Sequence, residues 1–374
     1  MKIREISFFR DFCCNAGKCE ETCCRGWIIP LEKEDAERMK NAGGLLGLRL
    51  FFATSGHLRD QFNSSSAVCP FLNRDGLCSM QLAKGHDFLP EACRSFPRFY
   101  RNYGAFEERL IDLSCIEGAA LWFSRFKELD FHETEGEPES GRFGSNEDED
   151  YLLTLVACRQ EMTDALLAVE TVADLRDVLA RIDAYASEAQ QAFLKENGAW
   201  LAENPFVTYR PDELCKPESN LFPFDANVYE EIMHTHLYGE RLSLGNPTLY
   251  GYCQLFFRKL NAAKPFRRHW AELADDLLAK YPQYVPYYAG LYAYYLLQHF
   301  LKTFDDYSFR RNVRMGLIHL NMKFLFDVLL WEQKGDFDDK DFIKTVAVYN
   351  RRAYFNEQIM DEMYRTVEKM CCKD

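Results

Sequence analysis

Cysteines are concentrated near the start of this chain, and this local enrichment constrains the fold more than any other feature. Nine of the fourteen cysteines fall between residues 13 and 115. They are Cys13, Cys14, Cys19, Cys23, Cys24, Cys69, Cys78, Cys93 and Cys115. Thiolates three or four residues apart can turn back on one centre, because a tight turn or one helical turn brings their side chains together. The spacing therefore predicts a metal site in the first third of the chain, closed by the more distant thiolates.

Three kinds of framework use cysteines in this way: disulfides, a zinc site and an iron–sulfur cluster. The first ten residues include Lys2, Arg4, Glu5 and Arg10, which leave no uninterrupted apolar segment for a secretory signal. We therefore expect a cytoplasmic protein. Cellular reductants disfavour stable disulfides in that compartment, so metal binding is the leading interpretation.

The spacing does not decide between zinc and an iron–sulfur cluster. Zinc sites usually contain paired CxxC knuckles, and the chain has none. A set made only of thiolates suits a cluster, but the ferredoxin run of cysteines at two-residue intervals is also missing. Both metals stay open on this evidence, with buried reduced cysteines as a third interpretation.

The length and charge distribution predict two domains. A chain of 374 residues exceeds one typical core. Residues 128–150 carry one arginine against ten acidic residues and are interrupted by Pro138 and three glycines, a composition too polar for a packed element. We predict a cysteine-rich metal-binding domain over residues 1–127, an acidic linker over 128–150 and a helical domain over 151–374. An exposed acidic loop inside a single domain is the alternative.

Beyond the acidic segment, apolar residues recur at spacings of three and four, the period of amphipathic helices. Residues 151–196 predict at least two helices, and Thr171 with Asp174 is a start signal for the second. Further helical patterns cover residues 227–238, 249–262, 270–280, 287–304, 309–330 and 339–369. No convincing run of alternating strands separates them, so the expected fold class is mainly α.

One uncharged stretch, residues 281–301, has the length of a membrane span. Its seven tyrosines and two prolines instead predict a buried helix whose tyrosines line a cavity or find partners in the core. We therefore expect no membrane association. The formal net charge of −13 offers no basic surface for phosphates, so no nucleic-acid partner is expected either.

The cysteines lie within ordered motifs. The chain reads CNAGKCEETCCRGW from Cys14, CPFLNRDGLC from Cys69 and CRSFPR from Cys93, and Cys115 follows. Over about residues 8–117 this order resembles the flagellin lysine N-methylase family. Members of that family transfer methyl groups from S-adenosylmethionine to lysine side chains of bacterial flagellin, and their cysteine set is associated with an iron–sulfur cluster.

The resemblance implies an iron–sulfur cluster, with [4Fe–4S] as the expected type and zinc as the alternative. It also implies S-adenosylmethionine as cofactor and flagellin as protein substrate. The matching ligand candidates are Cys14, Cys19, Cys23, Cys24, Cys69, Cys78, Cys93 and Cys115, whereas Cys13 falls outside the pattern. Eight thiols exceed the four ligands of one cluster, so two sites, or one site with four structural thiols, both fit the count. We expect mixed ligation between the early and the later cysteines, which the sequence does not partition.

The site for S-adenosylmethionine is harder to locate. No strand followed by GxGxxG is present, so a doubly wound methyltransferase domain is not expected, and the cofactor would bind on the helical part or beside the metal. Arg94, Arg98 and Arg101 follow Cys93 closely and are the candidates to pair with its carboxylate. Ordinary surface ion pairs are the alternative role for these arginines.

Methyl transfer to lysine also requires a deprotonated amine, because an ammonium has no lone pair to attack with. The sequence identifies no catalytic base. It therefore leaves a second class of function open, in which zinc or a cluster only folds a non-enzymatic protein-binding module.

Overall fold

The computed structural model describes most of the chain. The described residues are 1–26, 29–55, 61–62, 68–196, 199–211, 230–234, 242–262, 266–354, 359–363 and 365–366. All strands of this part precede residue 136, and helices dominate the rest. The mainly α fold class is confirmed, whereas metal binding by the first domain stays a prediction.

Four strands near the beginning form a mixed sheet in the order β4, β5, β1, β6. These strands are β1 Lys2–Ile6, β4 Arg98–Asn102, β5 Phe106–Ile111 and β6 Phe131–Glu135. Strand β1 pairs parallel to β5, and the other two pairings are antiparallel. A separate short pair joins β2 Thr54–Ser55 to β3 Gln61–Phe62. Because β1 and β5 are neighbours, every cysteine from 13 to 93 lies in the connection between two adjacent central strands.

Five helices accompany these strands. They are α1 Lys33–Lys40, α2 Gly44–Ala53, α3 Ser79–Lys84, α4 Glu91–Ser95 and α5 Ile116–Arg125. The later helices of the described chain are α6 Glu149–Leu167, α7 Val172–Glu196, α8 Ala199–Glu203, α9 Leu242–Gly245, α10 Pro247–Ala262, α11 Phe266–Lys280, α12 Val285–His299, α13 Thr303–Asp306, α14 Phe309–Lys334 and α15 Asp339–Tyr354.

The two helices predicted over residues 151–196 are confirmed as α6 and α7. The start signal acts as expected, because the Asp174 amide donates to Thr171 Oγ1 at 3.2 Å and the Thr171 amide donates to Asp174 Oδ2 at 2.9 Å. Helices α10, α11, α12, α14 and α15 fall on the later predicted patterns. Most of the 227–238 pattern, and much of the 339–369 pattern beyond α15, lie outside the described residues.

The tyrosine-rich stretch forms α12, and it is a core helix as predicted. Tyr288, Tyr294 and Tyr295 are completely buried. Their hydroxyls donate to Asp327 Oδ2 at 2.6 Å, to the Ile111 carbonyl at 2.6 Å and to Asn350 Oδ1 at 2.9 Å. These bonds allow polar rings to be buried without an unsatisfied hydroxyl. No helix of the described chain has the length and apolar character needed to cross a membrane.

The described chain contains two apolar cores. The larger core joins the sheet and α5 to the helices from α6 onward. The smaller core lies within residues 29–93 and includes Leu31, Phe62 and Phe71. The acidic segment also contains a strand that its composition did not indicate, since β6 pairs along β1. Backbone pairing, rather than side-chain burial, holds this edge strand, whose side chains are mostly exposed.

A buried ion pair connects the sheet to α6. Both guanidinium amino groups of Arg159 donate to the Glu108 carboxylate, one of them at 2.8 Å, and both side chains are 2% exposed. Arg4 donates to the same carboxylate at 2.8 Å from the neighbouring strand. Two cations and one anion therefore share a desolvated site, where loss of Arg159 leaves Glu108 with Arg4 as its partner.

We predict that Arg159→Ala lowers the free energy of unfolding by about 3 kcal/mol, at the lower end for breaking a buried pair because Arg4 still contacts Glu108. The matched control is Arg176→Ala, which breaks a pair with Asp275 in which both partners are more than a third exposed and should change stability by less than about 1 kcal/mol. Denaturant unfolding followed by circular dichroism measures both. Equal small losses would contradict the structural role given to Arg159.

Candidate metal centre

The early cysteines lie in a loop that is anchored to the helical part of the chain. The Arg351 guanidinium on α15 donates to the Glu21 carbonyl at 2.9 Å and to the Thr22 carbonyl at 3.2 Å. The Glu21 carboxylate accepts a hydrogen bond from Thr248 Oγ1 at 2.7 Å and lies 3.6 Å from Lys344 Nζ. Arg351 is 2% exposed, so these bonds form away from water, where they contribute most.

The backbone conformation at Gly26 explains why the CCRGW motif contains a glycine. Its φ of +90° is a left-handed conformation that favours glycine, and a Cβ there would lie 3.0 Å from the Gly245 carbonyl oxygen. The chain can therefore turn close against the end of α9 directly after Cys24. This close approach fixes where the loop leaves the helical part.

A second turn brings Cys69 and Cys78 towards each other. The Asn73 side chain accepts hydrogen bonds from the amides of Asp75 and Leu77, both at 2.9 Å, which is the pattern of an Asx turn. Leu72 forms an antiparallel bridge with Cys78. The eight residues between the two cysteines thus fold back as a compact turn instead of extending.

The backbone also joins the two cysteine groups. The Cys69 amide donates to the Cys24 carbonyl at 2.8 Å, and Arg25 forms an antiparallel bridge with Val68. Residues 24 and 69 are far apart in sequence but adjacent in space. The expected meeting of early and later cysteines is therefore present at the level of the backbone.

The thiols at this junction influence one another. The side chains of Cys23 and Cys69 lower the pKa of Cys24 because they stabilise its thiolate. The same interactions, followed by burial, raise the pKa values of Cys23 and Cys69. Burial raises the pKa of Cys93, and the charges of Cys24 and Cys78 raise it further.

Two other cysteines occupy the N-terminal ends of helices. Cys78 directly precedes α3, and hydrogen bonds from the backbone at Gln81 and Met80 oppose the effect of burial, which raises its pKa. Cys115 directly precedes α5, where burial raises its pKa to about 12 while backbone bonds at Gly118 and Glu117 act in the opposite direction. Backbone N–H groups at a helix start stabilise a thiolate, which is the form that binds metal.

The remaining candidates, Cys14 and Cys19, interact with Cys115. The charges of Cys19 and Cys14 add to the raised pKa of Cys115. Burial is the main cause of the raised pKa of Cys19, and the charge of Cys14 contributes to it. The Cys14 sulfur accepts a hydrogen bond from the Ala16 amide at 3.3 Å. Both Cys13 and Cys14 are exposed, and no disulfide joins any of the eleven cysteines in the described chain.

The candidate ligands of this region are thiols. An all-thiolate group with amide donors directed at sulfur suits zinc or an iron–sulfur cluster in chemical terms. As the side chains stand, however, no three His, Cys, Asp or Glu residues of the described chain are arranged to hold a metal ion. Ligation would therefore require thiol side chains to move from their present hydrogen bonds. The assignment of ligands stays a prediction.

The three candidate arginines have different surroundings. Arg94 pairs with Glu91 of its own short helix and donates to the Asp87 carbonyl at 3.2 Å. Arg98 lies over the rings of Phe9 and Phe12. Ordinary contacts thus occupy two of the proposed cofactor-binding residues.

Arg101 differs from the other two. Its guanidinium lies 4.2 Å from the ring centre of Phe143 and 4.8 Å from that of Phe99. Its Nη1 atom is buried and has no hydrogen-bond partner among the described residues. The pKa of Lys302 falls to about 8, mainly through burial and then through the charge of Arg101. Of the three arginines, Arg101 is therefore the one with a buried donor atom, and it lies near the buried amine of Lys302.

The sequence did not single out two polar groups that the fold buries. Lys323 and Asp327 form a fully buried ion pair within α14, and Asp327 also accepts hydrogen bonds from Tyr288 and Thr345. Burial lowers the pKa of Lys323 to about 7 and raises that of Asp327. A Lys and an Asp four residues apart, next to the apolar run Phe324–Phe326, were the available signal. Nothing in the sequence signalled the contact of Arg351 with Glu21, 330 residues away.

Comparison with curated proteins gives partial matches. The chain is 27% identical to the flagellar biosynthetic protein FliU of Salmonella muenchen over 123 residues, which is 31% of this chain and 73% of that protein. It is 28% identical over 125 residues to the lysine-N-methylase of Salmonella choleraesuis strain SC-B67, and 27% identical over 123 residues to that of Salmonella typhimurium strain LT2.

These matches support the resemblance to flagellin lysine methylases. Each match to a lysine-N-methylase covers 31% of this chain and only 31% of the relative. No family model matches the chain, and no solved structure matches it.

We predict that Arg351→Met loosens the early cysteine loop, because Glu21 and Thr22 lose hydrogen bonds to a buried cation. In metal-free protein, alkylation of Cys19 and Cys23 should become several-fold faster, as measured by peptide mass spectrometry after short exposure to iodoacetamide. Lys344→Met is the matched control, since it removes only a cation that is 35% exposed and lies 3.6 Å from the Glu21 carboxylate. Unchanged alkylation rates in Arg351→Met would contradict the anchoring role.

Proposed function

We propose that this protein is a protein-lysine N-methyltransferase that acts on flagellin. The observation that carries the proposal is the similarity to proteins named lysine-N-methylase and to a flagellar biosynthetic protein. Because the match covers about a third of each methylase, the activity, the substrate and the cofactors are all proposed for this chain, not transferred to it.

The proposal includes a thiolate-bound iron–sulfur cluster in the N-terminal part. Its four ligands would come from the eight matched cysteines, and such a cluster would supply a fixed inorganic core that joins remote segments of the chain. The chain itself contributes the anchoring of the loop by Arg351 and the backbone bond between Cys24 and Cys69. Amide donors at the starts of α3 and α5 favour the thiolate forms that ligation needs.

S-adenosylmethionine is the proposed methyl donor. The lysine amine attacks the methyl carbon, so an N–C bond forms, an S–C bond breaks and S-adenosylhomocysteine leaves. The substrate ammonium must first lose a proton, and a desolvated environment would favour this because burial lowers the pKa of an amine. Arg101 is our candidate for the carboxylate of the cofactor, since its Nη1 atom is buried without a partner among the described residues.

The reaction is tested with anaerobically purified full-length protein, flagellin and methyl-labelled S-adenosylmethionine. We expect label on flagellin lysines, located by peptide mass spectrometry. A protein that holds its metal and binds flagellin but transfers no label would overturn the methyltransferase and favour a metal-stabilised binding module.

The Arg101 assignment gives a separate prediction. Arg101→Met should weaken the binding of S-adenosylmethionine by about tenfold or more, because a charge-assisted pair with the carboxylate contributes about 1.5–3 kcal/mol. Arg94→Met, which removes a cation already paired with Glu91, is the matched control and should bind normally. Equilibrium binding by calorimetry measures both variants. Equal affinity in the two would remove Arg101 from the cofactor site.

A further inference from the structure

We propose that residues 140–147 form a strap that closes over Arg101 and opens to let the carboxylate of the cofactor enter and leave. The strap lies in the acidic segment, between β6 and α6. This inference rests on the cofactor role proposed for Arg101 and adds the part of the chain that controls access to that residue. It does not depend on whether methyl transfer follows binding.

Phe143 is the part of the strap that covers Arg101. The Arg101 guanidinium lies 4.2 Å from the ring centre of Phe143, and the Phe143 amide donates to the Asn102 carbonyl at 2.6 Å. This bond holds Phe143 against the end of β4. Phe143 is partly exposed, whereas the Nη1 atom of Arg101 is buried. A ligand from solvent therefore reaches this nitrogen only after a neighbouring group moves, and Phe143 is the neighbour that belongs to a surface segment.

The contact with Phe143 leaves Arg101 able to bind an anion. A cation–π contact satisfies the charge of a guanidinium without supplying an acceptor atom to each of its N–H groups. Accordingly, Nη1 of Arg101 has no hydrogen-bond partner among the described residues although Phe143 lies beside it. A carboxylate and Phe143 can thus contact Arg101 at the same time. The strap is therefore closed both before and after binding, and it opens only for exchange of the ligand.

Asp305 on α13 holds the far end of the strap. Its Oδ1 atom accepts hydrogen bonds from the amides of Ser145 and Asn146, at 2.8 and 3.0 Å. Gly144 precedes these two residues with a φ of +75°, and a Cβ there would overlap the Asp305 carboxylate. Two successive amides that bind one carboxylate form a compact anchor, and glycine allows the backbone to approach it closely.

The near end of the strap is tied to the sheet. The amide and the hydroxyl of Ser140 donate to Glu107 Oε2 at 2.9 and 3.0 Å. Farther along, Arg142 donates to the Asn146 carbonyl at 2.8 Å, a bond that is internal to the strap and moves with it. Release of the contacts with Asp305 and β4 therefore frees the strap while Ser140 stays in place. Few bonds have to break, as is usual for segments that control access to a site.

The experiment measures binding of S-adenosylhomocysteine to full-length protein, purified anaerobically, by surface plasmon resonance. Gly144→Ala places a methyl group against Asp305 and weakens the closed strap. We expect the association and dissociation rate constants both to rise about fivefold or more, with little change in Kd, because the strap limits entry and exit alike. Ser145→Ala is the matched control, since it alters an exposed side chain but keeps the amide that Asp305 binds. It should bind like the unmodified protein.

Hydrogen exchange of the Ser145 and Asn146 amides, measured without ligand, locates the motion. It should be about tenfold faster in Gly144→Ala than in Ser145→Ala. Circular dichroism identifies a variant that fails to fold, and Phe143→Ala, which removes the cover without touching Asp305, should raise both rate constants as well.

Unchanged binding rates in the folded variants, or a rise in the dissociation rate alone, would overturn the inference. Failure of the unmodified protein to bind S-adenosylhomocysteine would overturn it too. No methyl acceptor is present in these measurements, so a protein that shows the expected rates but methylates no flagellin would contradict the proposed function and support the strap.

Discussion

The hydrogen bonds of Arg351 to Glu21 and Thr22 anchor the early cysteine loop of this protein to its helical part. The early loop has little regular structure of its own, so its position depends on contacts with distant residues. Arg351 supplies them from a buried site on α15, and the amide of Cys69 then fixes Cys24 against the second cysteine group. Without these contacts the early thiols would have no defined relation to Cys69, Cys78, Cys93 and Cys115.

The helical part could be predicted well because its signals are local. The helical spacing of apolar residues identified α6 and α7, and the capping signal at Thr171 identified the start of α7. The tyrosine-rich stretch was assigned correctly to a buried helix. The strand Phe131–Glu135 was missed because an edge strand held by backbone pairing needs no apolar side chains. The sequence did not indicate that one apolar core runs from the sheet into the helices, since that follows from tertiary packing alone.

At the candidate site, too, the sequence predicted the local motifs but not their tertiary arrangement. Spacing and order singled out the cysteines, and the fold places early and later ones together at Cys24 and Cys69. Their grouping depends on a turn at Asn73, a close approach at Gly26 and the starts of two helices. None of these follows from cysteine spacing. The three arginines were grouped by proximity in sequence, but two of them are occupied by ordinary contacts, and only Arg101 keeps a buried donor without a partner among the described residues.

The central claim is that sulfur atoms from remote segments bind metal in this protein. X-ray absorption spectroscopy at the metal edge, on anaerobically purified full-length protein, tests it most directly. The account predicts a first coordination shell made only of sulfur, with iron neighbours in a second shell. A first shell of nitrogen and oxygen, or protein that contains no stoichiometric metal, would contradict it.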